Sequence, residues 1–237
     1  VMAFPEVYVN GSLAGQWDYG YMSFRIDATP FIRFGEPNLI VVKADTRQHG
    51  TRWYPGAGIY RNVKLSLCDK VHVAHWGTQI ATPRIGHESA QLRIRTTINT
   101  HLETNEDVAV DITVFDPSGA RVANTRRVLR VVANQQTVAD QTLTVADPEL
   151  WDITDPHLYT VKTSLDCGGK CVDQVSNDFG FRTFEFTADD GFHLNGRRVQ
   201  LYGVNLHHDH GPLGAAFYTR AMQRQLAIMK DMGCNAI

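Results

Sequence analysis

Tyr202-Gly-Val-Asn-Leu-His-His-Asp-His210 is the stretch from which the rest of the chain is read. The run leading into it, Val199-Gln-Leu-Tyr-Gly-Val204, has the composition of a strand buried on both faces. Three histidines and an aspartate follow at once, in what reads as a loop. Thr219 is the expected N-cap of a helix carrying Met222, Leu226 and Met229 on one face, and Gly233 its expected stop. Asn235-Ala-Ile237 reads as the start of a second, parallel strand. Strand, loop, helix, strand is the unit of an α/β barrel or an open α/β sheet, where chemistry sits on the loops after the strands. One such unit cannot bury its own faces. The expectation is therefore a part of a larger enzyme, with further sequence before Val1 and beyond Ile237.

Upstream of this unit the pattern is all-β. Glu6-Val-Tyr-Val9 runs into Asn10-Gly11, the strongest short hairpin signal. Tyr21–Ile26 alternates, Gly35-Glu-Pro-Asn38 is a turn, and Leu39–Ala44 and Asn62–Leu67 read as further strands of this first group. A second group comprises Val71–Ala81, Ala90–Thr100, Val108–Phe115, Arg121–Val132, Gln136–Val145, Tyr159–Asp166 and Cys171–Gly180. Its turns fall at Asp116-Pro-Ser-Gly119 and Cys167–Lys170. Seven strands at this spacing are the count for an immunoglobulin-like sandwich. Asp189–Gly196 reads as a hairpin with a second Asn-Gly turn.

Composition sets the outer bounds. The chain has 237 residues, 43% hydrophobic and 20% charged, with a formal net charge of −2. That is an ordinary globular composition. The charge offers no electrostatic argument for nucleic acid or an anionic membrane. No apolar run approaches the ~20 residues of a membrane span. The four cysteines are Cys68, Cys167, Cys171 and Cys234. Cys167-Gly-Gly-Lys-Cys171 reads as a hairpin disulfide, half a metal site or two free thiols. A structural zinc needs about four ligands, and no second pair of suitable spacing accompanies this one. Free thiols are preferred, a disulfide stays open, and no metal or other cofactor is expected. The cysteines do not decide between cytoplasm and periplasm or secretion.

Three groups of motifs, in order, resemble glycoside hydrolase family 2, which includes β-galactosidases, β-glucuronidases and β-mannosidases. Arg52-Trp-Tyr-Pro-Gly-Ala-Gly-Ile-Tyr-Arg61 is similar to the end of that family's jelly-roll sugar-binding domain. Pro148-Glu-Leu-Trp-Asp152 with Pro156-His-Leu-Tyr159 resembles the late strands of its immunoglobulin-like domain. Phe179-Gly-Phe-Arg182, Leu194-Asn-Gly196, Gly203-Val-Asn-Leu-His207 and Met229-Lys230 to Asn235-Ala-Ile237 resemble the start of its (β/α)₈ barrel. The resemblance implies a mainly β chain: residues 1–70 the end of a jelly-roll sandwich, 71–183 an immunoglobulin-like sandwich, and 184–237 the first βα unit of the barrel. It implies the non-catalytic front of a retaining exo-β-glycosidase, β-galactosidase-like, acting on a β-linked glycoside or oligosaccharide. Nucleic acid and membrane are not expected as partners, and homo-oligomerisation stays open.

The same resemblance places a histidine matching His207 in the sugar subsite where the bond is cleaved. An imidazole can donate to a sugar hydroxyl while its other nitrogen is held by a neighbour. Asn205 shares that position after the strand, and Asp209 would bind substrate or cap the loop. His208 and His210 read as structural. A metal cluster at His207–His210 is set aside, because adjacent loop residues point in different directions. Arg52 and Trp53 are the other substrate-binding candidates, since aromatics stack on sugar faces and Arg donates to hydroxyls. Related galactosidases and glucuronidases carry an aspartate that touches substrate where this chain has Arg52, a donor in place of an acceptor. Retaining hydrolysis uses two carboxylates about 5–5.5 Å apart, and the family's two glutamates sit on later barrel strands. Glu6, Glu36, Glu88, Glu103, Glu106, Glu149 and Glu185 are poor candidates, and no catalytic residue is assigned. A carbohydrate-binding module without catalysis and a structural immunoglobulin-like domain remain as alternatives.

Overall fold

The computed structural model describes residues 1–47, 56–207 and 210–237. They form two compact units, Val1–Leu65 with Tyr202–Ile237, and Ser66–Leu201.

In the first unit, β1 (Glu6–Val9), β2 (Ser12–Gln16) and β3 (Ile40–Lys43) form an antiparallel sheet in the order β2-β1-β3. Asn10 and Gly11 turn the chain between β1 and β2 with φ of 51° and 86°. A two-residue hairpin turn needs this left-handed pair, and Asn and Gly adopt it most readily. Asn10 also ties the hairpin to the Gly35–Asn38 turn. Its side-chain amide donates to Phe31 O (2.9 Å) and Asn38 Oδ1 (2.7 Å), and its Oδ1 accepts from the Leu39 N–H (3.0 Å).

The second unit is a sandwich of two antiparallel sheets. Its strands are β4 (Val71–Ile85), β5 (Ser89–Thr100), β6 (Glu106–Phe115), β7 (Arg121–Val131), β8 (Gln136–Ala146), β9 (Tyr159–Cys167) and β10 (Lys170–Phe179). One sheet has the order β4-β5-β8, the other β10-β9-β6-β7. The period-2 pattern explains the facing. Ala90, Leu92, Ile94 and Ile98 of β5, Val108, Val110, Ile112 and Val114 of β6, and Tyr159, Val161 and Leu165 of β9 are buried in one core. Tyr159 opens β9 and its hydroxyl accepts the Glu149 N–H at 2.9 Å, tying the preceding segment to the start of the strand. Its ring meets Phe181 edge-on at 4.9 Å, and Phe181 meets Phe179 at 5.0 Å. Three short strands follow: β11 (Phe184–Thr187), β12 (Gly191–Leu194) and β13 (Arg197–Arg198), in sequence order in one sheet.

The β9–β10 turn is Gly168-Gly169, with φ of 59° and 80°. The register pairs Cys167 with Lys170 and Cys171 with Asp166. Neighbouring residues of a strand face opposite sides of a sheet, so the two thiols point apart, and both cysteines are free. Burial pushes the Cys167 thiol pKa up.

Three expected strands do not form. Tyr21–Ile26, Asn62–Leu67 and Val199–Val204 pair with no strand among the described residues beyond one parallel bridge, Gly203 to Ala236. A strand needs a partner edge for its backbone groups. With none, apolar side chains that alternate in sequence stay outside: Val63, Leu65 and Leu67 are 75%, 72% and 87% exposed. Leu201 and Tyr202 are likewise exposed, not buried on both faces.

Helix α1 (Thr219–Asp231) begins at Thr219; the cap position is Tyr218, with no side-chain capping bond. Gly233 ends it with φ of 90°, the left-handed conformation that favours glycine after a helix. Met222 and Met229 are half-buried, but Leu226 of the expected apolar face is exposed, and no helix residue is buried. Among the described residues no helix is long and apolar enough to cross a membrane.

Candidate functional site

The site is built on the return of the chain from α1. Asn235 N–H donates to Tyr202 O (2.9 Å), Val204 N–H donates to Ala236 O (3.2 Å), and the Asn235 side-chain oxygen accepts from the Tyr202 N–H (2.7 Å). These bonds set the two segments parallel, as a strand–loop–helix–strand unit requires. Asn205 and His207 come directly after this bridge, and both are exposed. Arg52, Trp53 and Asp209, with His208, lie outside the described residues.

Beyond His207 the loop folds into a single 3₁₀ turn, Gly211–Leu213. His210 N–H donates to Gly214 O (2.9 Å), and Gly214 N–H to Gly211 O (3.0 Å). The His210 ring is buried, only 6% exposed. It sits edge-on to Phe217 at 5.4 Å and 73°. Its Nδ1 has no hydrogen-bond partner among the described residues.

The segment before α1, at Ala215 and Phe217, lies against the Gly56–Arg61 stretch. A Cβ placed on Gly56, whose φ is 71°, would lie 3.4 Å from the Ala215 Cβ, and Ala215 is buried. The Arg61 guanidinium lies over the Phe217 ring at 5.0 Å and over the Tyr60 ring at 5.5 Å. Tyr60 in turn donates its hydroxyl to Gly20 O at 2.6 Å. Burial pushes the Tyr60 phenol pKa up, while the charge of Arg61 acts in the opposite direction.

The structure thus brings the end of one sequence motif, Gly56–Arg61, together with His210, Ala215 and Phe217. His210 reads from sequence as a structural histidine; its burial places it in the core of this loop. Phe217 and the ring contacts of Tyr60 and Arg61 are not predicted by sequence. The signal available for them is the abundance of small residues, Gly56-Ala-Gly58 and Gly214-Ala-Ala216, which marks close backbone approach. Open clefts occur along α1 (Arg220, Ala221, Gln223, Arg224, Ala227) and at the β4–β5 turn (Arg84–Gln91 with Thr144), and His207 lines neither. Among the described residues no three His, Cys, Asp or Glu are placed to hold a metal ion.

Comparison with known proteins agrees with this architecture. The family model for glycosyl hydrolases family 2 matches residues 71–182, and that for the family 2 TIM barrel domain matches 186–237. The chain is 44% identical over 233 residues to β-galactosidase BoGH2A of Bacteroides ovatus, covering 98% of this chain and 27% of that protein. A glycosyl hydrolase family 2 member from Bacteroides cellulosilyticus superposes with a TM-score of 0.93 at 31% identity, over 99% of this chain and 30% of that one. The β-glucuronidase of Bacteroides uniformis gives 0.91 at 29% identity, over 98% and 29%. The chain therefore spans about a quarter to a third of the length of these relatives.

Proposed function

This chain belongs to glycosyl hydrolase family 2, and from that premise we propose that the whole protein is a retaining exo-β-glycosidase, β-galactosidase-like, in which these residues form the non-catalytic front. Residues 1–70 are proposed as the end of a jelly-roll domain, 71–183 as the immunoglobulin-like domain, and 184–237 as the first βα unit of the barrel. The observation that carries the reading is the position of His207 and Asn205, exposed and immediately after the parallel bridge of Gly203 with Ala236. Loops at that end of barrel strands form the active sites of such enzymes.

The proposed chemistry divides the labour. His207 and Asn205 bind hydroxyls of the sugar whose bond is cleaved. Their contacts count toward rate to the extent that they tighten in the transition state. Arg52, Trp53 and Asp209 are proposed as further substrate contacts. The acid and the nucleophile are glutamates of other barrel strands, about 5–5.5 Å apart in a retaining enzyme. The relatives include both β-galactosidases and β-glucuronidases. A neutral galactoside is the preferred substrate class, after the relative of highest identity among those compared.

The test is turnover of nitrophenyl β-galactoside and β-glucuronide by the whole protein. Release of nitrophenol with retained anomeric configuration supports the reading. A protein that binds β-glycosides without turnover is instead a carbohydrate-binding module.

A further inference from the structure

Arg61 is an exposed side chain on a segment without regular structure. Replacement of such a residue ordinarily changes little. Here its guanidinium lies over two rings, Phe217 at 5.0 Å and Tyr60 at 5.5 Å. Phe217 carries the contact onward, because the buried His210 sits edge-on to it at 5.4 Å. His210 in turn brackets the 3₁₀ turn: its N–H donates to Gly214 O at 2.9 Å, and its carbonyl accepts the Leu213 N–H at 3.3 Å. The chain of contacts runs from the end of the first β group to the loop three residues after His207.

We propose that Arg61 is a positioning residue of the sugar site: acting through the rings of Phe217 and His210, it holds the His210–Gly214 turn, three residues after His207, in place. Three features support this over a merely structural surface role. A cation above an aromatic face is attracted by the ring quadrupole, and this fixes direction as well as contact. The His210 ring is buried and meets Phe217 edge-on, so the placement of the turn it brackets depends on where that ring sits. Gly56, whose added Cβ would stand 3.4 Å from the Ala215 Cβ, brings the two segments to close approach beside the stack. The role in catalysis rests on the reading of His207 above; the positioning of the loop does not.

The experiment has two arms. In the first, amide hydrogen exchange is measured on the whole protein for His210, Leu213 and Gly214, whose N–H groups close the turn. Arg61→Met keeps the apolar stem and removes the cation. It should speed exchange at these three amides by about two- to fivefold, the factor an exposed cation–ring contact contributes. Arg61→Lys should restore much of the protection, and amides of β5 and β6 should not change. In a Phe217→Leu background, Arg61→Met should have a smaller effect on these three amides, since the ring that links it to His210 is gone. Unchanged exchange in Arg61→Met, or an equal effect with and without Phe217, overturns the proposal. In the second arm, kcat/KM of the whole enzyme for a nitrophenyl β-glycoside should fall by a similar factor in Arg61→Met and recover in Arg61→Lys. If exchange rises but kcat/KM does not move in an enzyme that His207→Ala impairs, the site role of Arg61 fails while the glycosidase reading stands. If no variant has turnover to lose, the glycosidase reading fails and the exchange arm decides the loop contact alone.

Discussion

Gly180→Ala is expected to destabilise the sandwich unit, against the usual direction for that substitution. No left-handed φ is required at Gly180. Where a backbone tolerates alanine, replacing glycine stabilises by about 0.4–1 kcal/mol, because the unfolded chain loses freedom. Here a neighbour intervenes. A Cβ on Gly180 would stand 2.8 Å from the Trp151 Cβ and 3.1 Å from its Cγ. These are the near end of the side chain, which cannot swing aside without moving the backbone. That backbone is held, since Trp151 N–H donates to Phe181 O at 2.8 Å and Trp151 O accepts from the Asn195 side chain at 3.0 Å. The Arg182 guanidinium lies over the indole at 4.6 Å. Overpacking of this kind costs about 1–3 kcal/mol, which exceeds the entropic gain. The net expectation is a loss of about 0.5–2 kcal/mol. The assay is urea unfolding followed by exchange of the slowest amides in β5, β6 and β9, which report this unit by itself. Trp151→Gly removes the Cβ together with the ring, so in that background Gly180→Ala should change sign and stabilise by about 0.4–1 kcal/mol. A stabilising Gly180→Ala in the unmodified chain, or the same effect in both backgrounds, refutes the steric account.

His207→Ala in the whole protein should lower kcat/KM by roughly 10- to 1,000-fold with little change in folding, and His208→Ala should do much less; equal effects would make His207 structural. Hydrogen bonds from the Ser118 side chain and the Ala120 N–H hold the Asp116 carboxyl pKa below the usual range. A carboxyl depressed in the folded state stabilises it above its unfolded pKa of about 3.9 and loses that contribution as pH falls through the folded value. The urea midpoint of the sandwich should therefore drop below about pH 4, and Asp116→Ala should flatten that part of the pH profile; an unchanged profile removes Asp116 from the account. Mild oxidation should form no Cys167–Cys171 bond, since the register turns the thiols apart, and the exposed Cys171 should react with a thiol reagent faster than the half-buried Cys167; a cross-linked peptide found by mass spectrometry would contradict the register.

The second unit was legible almost strand for strand, because its signals are local. Alternation in β5, β6 and β9 records which side of a strand meets a core, and Asn10-Gly11 and Gly168-Gly169 record turns that need positive φ. The family was legible for a related reason: its motifs cluster where turns and close approaches restrict the residue type, as at Gly180 beneath Trp151. What sequence alone did not determine is pairing. Tyr21–Ile26, Asn62–Leu67 and Val199–Val204 have strand composition but lack a paired strand edge among the described residues. Alternation states a preference for burial on one side; hydrogen bonding to a neighbour is decided elsewhere in the chain. The same holds for the candidate site. Asn205 and His207 are proposed from their place after a run of strand composition, a local property. Arg61, Phe217 and His210 are separated by about 150 residues between the first and the others, and each alone reads as an ordinary surface or core residue. Only the fold puts the guanidinium of one above the ring of another and buries the imidazole beside it, because side-chain contacts between distant segments depend on backbone geometry that no local pattern encodes.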